Sequence, residues 1–261
     1  MNPEANERSA ANALASYRAH AEGLPQGGRI ERHVHEHDQL ALIAESAAVI
    51  ETDDSYVVHP LSKALWLPAG VHHAVYSSRP FELHSLYFDP GTVRTATAPQ
   101  VLGLSGLARE LVLFLCTAPR VSQRGPRHAH ALALVTELLA EAKTESFVLP
   151  RPRSERARKL ADHLAARPND GRSLEIVTDE IGGASLRTFE RLFIDETGMT
   201  LAVWRRHSRL LTSLTLLAEG KNIAEVAHAV GYDGTAAFST AFKQCFGVTP
   251  KTYAREKPAK T

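Results

Sequence analysis

The chain has 261 residues and 30 Lys or Arg against 29 Asp or Glu, room for two modest domains and no overall charge that would hold a partner by itself. Its two cysteines, Cys116 and Cys245, exclude a disulfide framework; both sit in apolar helical contexts and are expected as buried free thiols in a reducing cytoplasm. No run approaches ~18 apolar residues and no charged-then-apolar signal opens the chain, so no membrane partner is expected. The charge is uneven: residues 151–261 hold 18 Lys or Arg against 13 Asp or Glu, residues 1–150 hold 12 against 16.

Residues 1–28 read as a mobile leader ending in Gly23-Leu24-Pro25-Gln26-Gly27-Gly28. From 29 to 98 short β-rich runs follow: Leu40–Ile43, Ala47–Thr52, Ser55–Val58, Ala64–Leu67, His73–Tyr76 and Glu82–Phe88, separated by Asp, Pro and Gly. Such spacing predicts a small β-barrel or sandwich. Seven of the 13 histidines fall between positions 33 and 84. In a regular strand His33, His35, His37 and Gln39 share one face, and Pro68-Ala69-Gly70-Val71-His72-His73 supplies a turn and a second histidine pair.

An HxH pair with an amide four residues later, then PxGxxH, resembles the metal motifs of the cupin barrel. The resemblance implies His33, His35, Gln39 and His73 as ligands of a divalent transition metal such as Zn, Ni, Fe or Mn. Gln39 stands where cupins more often carry Glu, a stronger ligand. The alternative is a cavity of histidines bonded to one another and to water, or holding an organic ligand. His37 and His72 read as exposed neighbours, His59 as a strand-end residue, and His84 with Trp66 as a second candidate lining of an effector cavity.

Residues 99–149 read as helical, with Leu104, Leu107, Leu111 and Leu115, then Leu132, Val135, Leu138 and Leu139, at helical spacings. This is more apolar surface than capping a small barrel requires, so a homodimer through one of these helices is expected. The alternative is that both helices pack on their own barrel. Pro150 and Pro152 mark an interdomain linker over 150–154.

The region 155–261 holds one design twice. The clearer copy pairs a helix carrying Ile223, Val226, Ala227 and Val230 with a second carrying Ala237, Phe238, Ala241, Phe242 and Phe246, joined at Gly231. The earlier copy runs from Leu174, Val177 and Ile181 through Gly182-Gly183 to Ser185 and a helix with Leu186, Phe189, Leu192 and Phe193 inward. Leu201, Trp204, Leu211, Leu214 and Leu217 mark a long helix between them. Each copy is a helix-turn-helix, whose second helix can enter a major groove. Repetition at this length argues against a bundle that merely carries solvated charges.

With Ile223-Ala224-Glu225-Val226-Ala227, Gly231-Tyr232, Ala241-Phe242-Lys243 and Phe246-Gly247-Val248-Thr249-Pro250 with Tyr253, residues 155–254 resemble the AraC/XylS family of bacterial transcription regulators. That resemblance implies second helices docked in successive major grooves of double-stranded DNA. Carried over by position, it assigns Arg187, Glu190 and Arg191 to base reading in the first half and Thr235, Ala236 and Thr240 to the equivalent places in the second. Thr188 and Lys243, outward on the same helices, are expected among the DNA-binding residues, and Arg205 and Arg209, beside the apolar stripe of the long helix, are expected on phosphate. The first half carries the stronger readers, since Arg grips guanine bidentately whereas Ala offers only methyl contact. The first turn, Ile181–Ser185, reads as one residue longer than the family norm, and Thr178 stands where Ala is common. The stretches His33–Leu40 and Ala64–Val71 are similar to a subgroup of short AraC-type regulators with cupin sensors, linked to neighbouring efflux or transport genes.

The expectation is an α+β protein of two domains: a cupin-like barrel with following helices, and an all-α DNA-binding domain. Its function is transcription regulation by a metal or small-molecule effector. A metal-dependent cupin enzyme of dioxygenase or isomerase type, fused to a DNA-binding module, is the alternative. No acid, base or substrate clamp beyond the histidines supports it, Glu36 and Glu82 reading as solvated. A structural nucleoid protein is a third reading, and predicts no preference among DNA sequences.

Overall fold

The computed structural model describes residues 17–44, 47–59, 63–77, 79–94, 96–117, 125–145 and 147–255. The architecture is α+β, with antiparallel strands early and helices late. The strands are β1 (Arg18–Leu24), β2 (Arg29–His33), β3 (Asp38–Ala44), β4 (Ala48–Thr52), β5 (Ser55–His59) and β6 (Lys63–Leu67). They continue as β7 (His73–Tyr76), β8 (Phe81–Phe88), β9 (Gln100–Gly103), β10 (Thr144–Glu145) and β11 (Val148–Pro150), and fall into one sheet of six and one of five. Contacts divide the chain into two compact units: residues to Ala48 with His59–Glu145, and Val49–Val58 with Ser146–Lys257.

In the first unit the six-stranded sheet runs β1-β8-β3-β6-β9-β10. Its edge strand corrects the reading of the leader: residues 18–24 pair with β8 along their whole length, from Arg18 opposite Tyr87 to Leu24 opposite Phe81. Ala19 and Ala21 pack on the core while Arg18, His20 and Glu22 stay exposed, a period of two hidden from propensity because Ala is a poor strand former. The leader's residues 1–16 lie outside the described residues.

Alternation gives this sheet two unlike faces. Register sets Leu40 beside Trp66 and Leu86, and Leu42 beside Ala64 and His84. That face is covered by two helices, α1 (Gly106–Thr117) with Val112 and Leu115, and α2 (Pro126–Glu141) with Leu132, Val135 and Leu139. Helix α2 starts at Pro126, where a missing N–H costs nothing. Gln39, Ser85 and Tyr87 point to the other face. The stretch expected as helical over 99–149 thus begins with strand β9 and ends in strands β10 and β11.

The second unit carries the repeated helices: α3 (Glu155–Ala166), α4 (Leu174–Ile181), α5 (Leu186–Thr197), α6 (Leu201–Ala218), α7 (Ile223–Ala229), α8 (Thr235–Phe246) and α9 (Pro250–Arg255). The main landmarks of the first copy recur 49 residues later. Ser173 and Asn222 are side-chain N-caps, Gly182 and Gly231 turn the chain at φ +73° and +78°, and Gly198 and Gly247 end twelve-residue helices at φ +72° and +76°. The first turn is therefore as long as the second, without the extra residue read from the sequence. Thr178 fits the place of Ala227 because its buried hydroxyl donates back to the carbonyls of Leu174 and Glu175 at 2.9 and 3.0 Å. Phe189, Phe193, Phe238, Phe242 and Trp204 are fully buried and form the core.

The linker expected at 150–154 is a fixed strap. β11 pairs with β5, Leu149 opposite Tyr56, and the Pro150 carbonyl accepts from Trp204 Nε1 at 2.7 Å. The amides of Arg153 and Ser154 both donate to Glu196 Oε2, at 2.7 and 2.9 Å, and the Phe147 ring stacks on Phe246. Arg151 reaches Glu51 at 2.7 Å and Asp162 at 3.1 Å with its guanidinium over the Tyr56 ring, and the Tyr56 hydroxyl donates to Asp162. Among the described residues no helix is long and apolar enough to cross a membrane.

Candidate metal centre and nucleic-acid interface

Three of the four predicted ligands converge in the first unit. His33 ends β2 directly opposite His73 at the start of β7, after a register shift between Ile30 and His33. His35 lies in the connection to β3, where its carbonyl accepts from Gly70 N at 2.9 Å, so the turn of the PxGxxH motif is fastened to the HxH motif. The strand is not regular through this stretch; the shift and the connection, not simple alternation, bring the rings together. Ring centroids stand 4.3 Å apart for His33 and His73, 4.7 Å for His33 and His35, and 5.3 Å for His35 and His73. One ring nitrogen from each lies within 4.8 Å of the others, so the three could share a single ion.

The tautomers suit such a role. Nδ1 of His33 lies 2.7 Å from the Glu31 carbonyl and Nδ1 of His73 lies 2.9 Å from the Val71 carbonyl. A proton on each Nδ1 leaves Nε2 as the lone-pair donor. Nε2 of His35 and of His73 is buried with no hydrogen-bond partner. Burial, reinforced by the neighbouring imidazoles, pushes His73 down to about 4 and lowers His35 as well. Both are therefore neutral near pH 7, the form that binds an ion.

Gln39 adjoins the cluster through Tyr87. Its amide nitrogen donates to Ser85 Oγ at 2.9 Å and Tyr87 OH at 3.3 Å, and the Tyr87 ring sits 5.0 Å from that of His35. Its Oε1 is buried and unpartnered. Sequence reasoning missed the buried Asp38, which accepts from the amides of Ala69 and Gly91 at 2.8 and 2.9 Å and so holds the turn before His73. No spacing pattern marks a carboxylate that acts on backbone amides so distant in sequence. His72 is exposed as expected, and His37 is half-buried beside Asp89.

Trp66 and His84 need a correction. Both lie on the helix-covered face of the six-stranded sheet, opposite to that of Gln39, Ser85 and Tyr87. Trp66 is packed among Val112, Leu132 and Leu139, and His84 is buried with Nε2 3.5 Å from Glu82. One residue of offset along β8 separates His84 from Ser85 and sends the two side chains apart.

In the second unit, Arg187, Glu190 and Arg191 are exposed on α5 as expected, and Thr188 is half-buried with its hydroxyl 3.2 Å from the N-cap Ser185. On α8, Thr235, Ala236, Thr240 and Lys243 are exposed; so is Ala237, expected inward, while Ser239 is half-buried. Arg205 and Arg209 differ from the other cations. Arg205 donates to the carbonyls of Arg172, at 2.9 Å, and Asp170; Arg209 donates to those of Asp170 at 2.6 Å and Gly231 at 3.2 Å. They fasten the connection before α4 to the second turn, which leaves the neighbouring Arg206 as the exposed cation of α6. Sequence reasoning also missed Ile194, Asp195 and Gln244, all exposed on the outer faces of α5 and α8; counting four residues on from Arg191 and Thr240 finds the last two.

The profile of the AraC-like ligand binding domain family matches residues 15–161, and a helix-turn-helix domain profile matches 180–256. The chain belongs to the AraC family of transcriptional regulators. It is 29% identical over 221 residues to the HTH-type transcriptional regulator NimR of Escherichia coli, covering 85% of this chain and 81% of NimR. It is 30% identical over 201 residues to RipA of Corynebacterium glutamicum, covering 72% of this chain and 60% of RipA. Among solved structures, fatty-acid-bound ToxT of Vibrio cholerae aligns over 95% of this chain and 98% of its own at 11% identity and a TM-score of 0.40, too loose a likeness to carry an argument. As an AraC-family regulator, the chain joins a ligand-binding β domain to a helical domain that binds DNA.

Proposed function

We propose that this regulator senses a divalent transition metal, alone or with a small molecule bound to it, at His33, His35 and His73, with Gln39 as a neutral fourth ligand. The observation that carries the reading is the convergence of three imidazoles whose Nε2 atoms, in His35 and His73, are buried and unpartnered. A buried polar atom without a partner costs ~1–3 kcal/mol, and such a cost persists where a ligand removes it. A bound ion supplies a positive charge that ties the end of β2 to the start of β7, and the chain's own groups set its affinity through the tautomers fixed by the Glu31 and Val71 carbonyls. Zn, Ni, Fe and Mn all accept imidazole, so the donor set narrows the class without selecting a member.

The reading is of a sensor in the cytoplasm and not of an enzyme. The cluster holds histidines alone, and Glu82 is turned to His84 on the other face of the sheet. An organic effector in the same place is the second reading, supported by Gln39 Oε1, whose amide character suits a hydroxyl or amide donor as well as an ion. A homodimer belongs to the proposal, through the exposed Leu107 and Phe114 of α1 and Leu134 of α2. Leu132, Val135 and Leu139, expected as candidates for that surface, are spent on the core.

An effector changes transcription only if it prefers one arrangement of the protein. The test is to titrate Zn, Ni, Fe(II) and Mn into metal-free full-length protein and into the His33→Ala/His73→Ala double variant, with affinity for an operator duplex as the readout. One metal should change wild-type affinity and leave the variant indifferent, while basal DNA binding is kept in both. An undiminished response in the variant would overturn the site.

A further inference from the structure

The two reading helices are the same object in backbone and different objects in chemistry. Both have twelve residues, both bury Phe at the fourth and eighth positions, and both end at a left-handed glycine. Their outward faces can therefore be compared position by position. Arg187, Arg191 and Asp195 on α5 correspond to Ala236, Thr240 and Gln244 on α8; Ile194 corresponds to Lys243. Each set of three lies in line at four-residue spacing, the row a helix presents to a groove.

The α5 row is long and charged. Two guanidiniums suit guanine O6 and N7, and the flanking Glu190 accepts from cytosine N4. The α8 row is short at its start. Gly234-Thr235-Ala236-Ala237 has no side chain beyond Thr, and Thr235, Ala236 and Ala237 are all exposed, so nothing holds the first turn away from a groove. Methyl groups of Ala and Thr match the thymine C5-methyl, and the carboxamide of Gln244 matches adenine N6 and N7 in a bidentate pair. Helix α6, 18 residues and ~27 Å long, joins the two copies.

We propose that the operator is chemically two-sided: a G·C-rich block read by α5 through Arg187, Arg191 and Glu190, and an A·T-rich block about one turn away read by α8, with Gln244 as its adenine-reading residue. This inference rests on the DNA-binding role of the family and adds the kind of duplex that fits this chain.

The test is selection from a randomised duplex library by full-length protein at fixed salt, since affinity and apparent specificity both vary with salt. Wild type should enrich two blocks, one G·C and one A·T. Gln244→Ala should flatten preference at one A·T pair by about tenfold and leave the G·C block unchanged. Gln244→Glu should turn that position from adenine towards cytosine, and Arg191→Ala should flatten a G·C pair alone. Two blocks of like composition, or a Gln244→Ala effect spread over both, would overturn the inference while leaving sequence-specific binding intact. No enrichment of any sequence by wild type would overturn the regulator reading as well. Both positions are exposed, and circular dichroism of each variant separates misfolding from lost recognition.

Discussion

Replacing Gly231 by alanine puts two separable strains on the second turn. Its φ of +78° lies in the left-handed region, where an L side chain costs ~1–2 kcal/mol. A Cβ there would also stand 2.9 Å from the Pro168 carbonyl oxygen and 3.0 Å from Arg209 Cζ and Nη2. The guanidinium must then withdraw from the carbonyls of Asp170 and Gly231, and hydrogen bonds from a charged donor are worth ~1.5–3 kcal/mol. The expected loss is ~3 kcal/mol, against ~1 kcal/mol for Gly247→Ala, whose φ of +76° is similar but whose Cβ meets nothing within 4 Å. At ~4 °C per kcal/mol for a unit of about 120 residues, Gly231→Ala should lower Tm by ~12 °C and Gly247→Ala by ~4 °C. Thermal melts of the full chain, followed by helical circular dichroism, give the comparison. A double-mutant cycle with Arg209→Ala should recover part of the difference, because the clash with the guanidinium disappears while that with Pro168 remains. Equal losses for the two glycines would refute the view that Arg209 is pressed against this turn.

At the histidine cluster, a metal at a hundred times its Kd should raise the stability of the wild type by ~2.7 kcal/mol and that of His73→Ala by far less, read as a shift in the denaturant midpoint. Without metal, the pH dependence has a definite sign. His73 is held at about 4 in the folded chain against 6.5 unfolded, so the unfolded chain takes up the proton first and stability falls as pH drops from about 6.5 to about 4. The fall attributable to this residue is ~3 kcal/mol at most, and a slope unchanged in His73→Gln would show that it does not originate there. Glu196→Ala removes the acceptor of two backbone amides and should cost ~1–3 kcal/mol in a urea melt; an unaltered midpoint would mean that water replaces the carboxylate without loss. Leu107→Glu with Phe114→Glu should convert a dimer to a monomer in sedimentation, and a wild type that is already a monomer at micromolar concentration would remove the proposed interface.

The repeat was the most legible part of the sequence because its signals are local: apolar residues three and four apart, a glycine at each turn, and small polar caps. The histidine motifs were legible through spacing, though His33 and His73 meet across a ladder whose register shift no periodicity reveals. What stayed hidden depends on partners far along the chain. Strand β1 is built on alanines and is a strand only because β8 accepts it. Trp66 and His84 looked like cavity residues until the register put them on the helix-covered face, one residue away from the other side. Arg205 and Arg209 are indistinguishable in sequence from phosphate binders, since nothing local tells of carbonyls at Asp170 and Gly231 waiting for them.

The strap and the β4–β5 hairpin have a consequence for how the protein is made. By its contacts Val49–Val58 groups with helices that begin about a hundred residues later, so the second unit is discontinuous and the chain enters it twice. No single cut releases it whole: a fragment starting at Glu155 lacks the carbonyl that meets Trp204, the ring that covers Phe246 and the hairpin bearing Tyr56 and Glu51. During synthesis Tyr56 leaves the ribosome 106 residues before Asp162, the carboxylate its hydroxyl binds. A chimera that exchanges sensors between such regulators should take residues 49–58 and 147–162 from one parent, so that β11 still pairs with β5 and Tyr56 still meets Asp162.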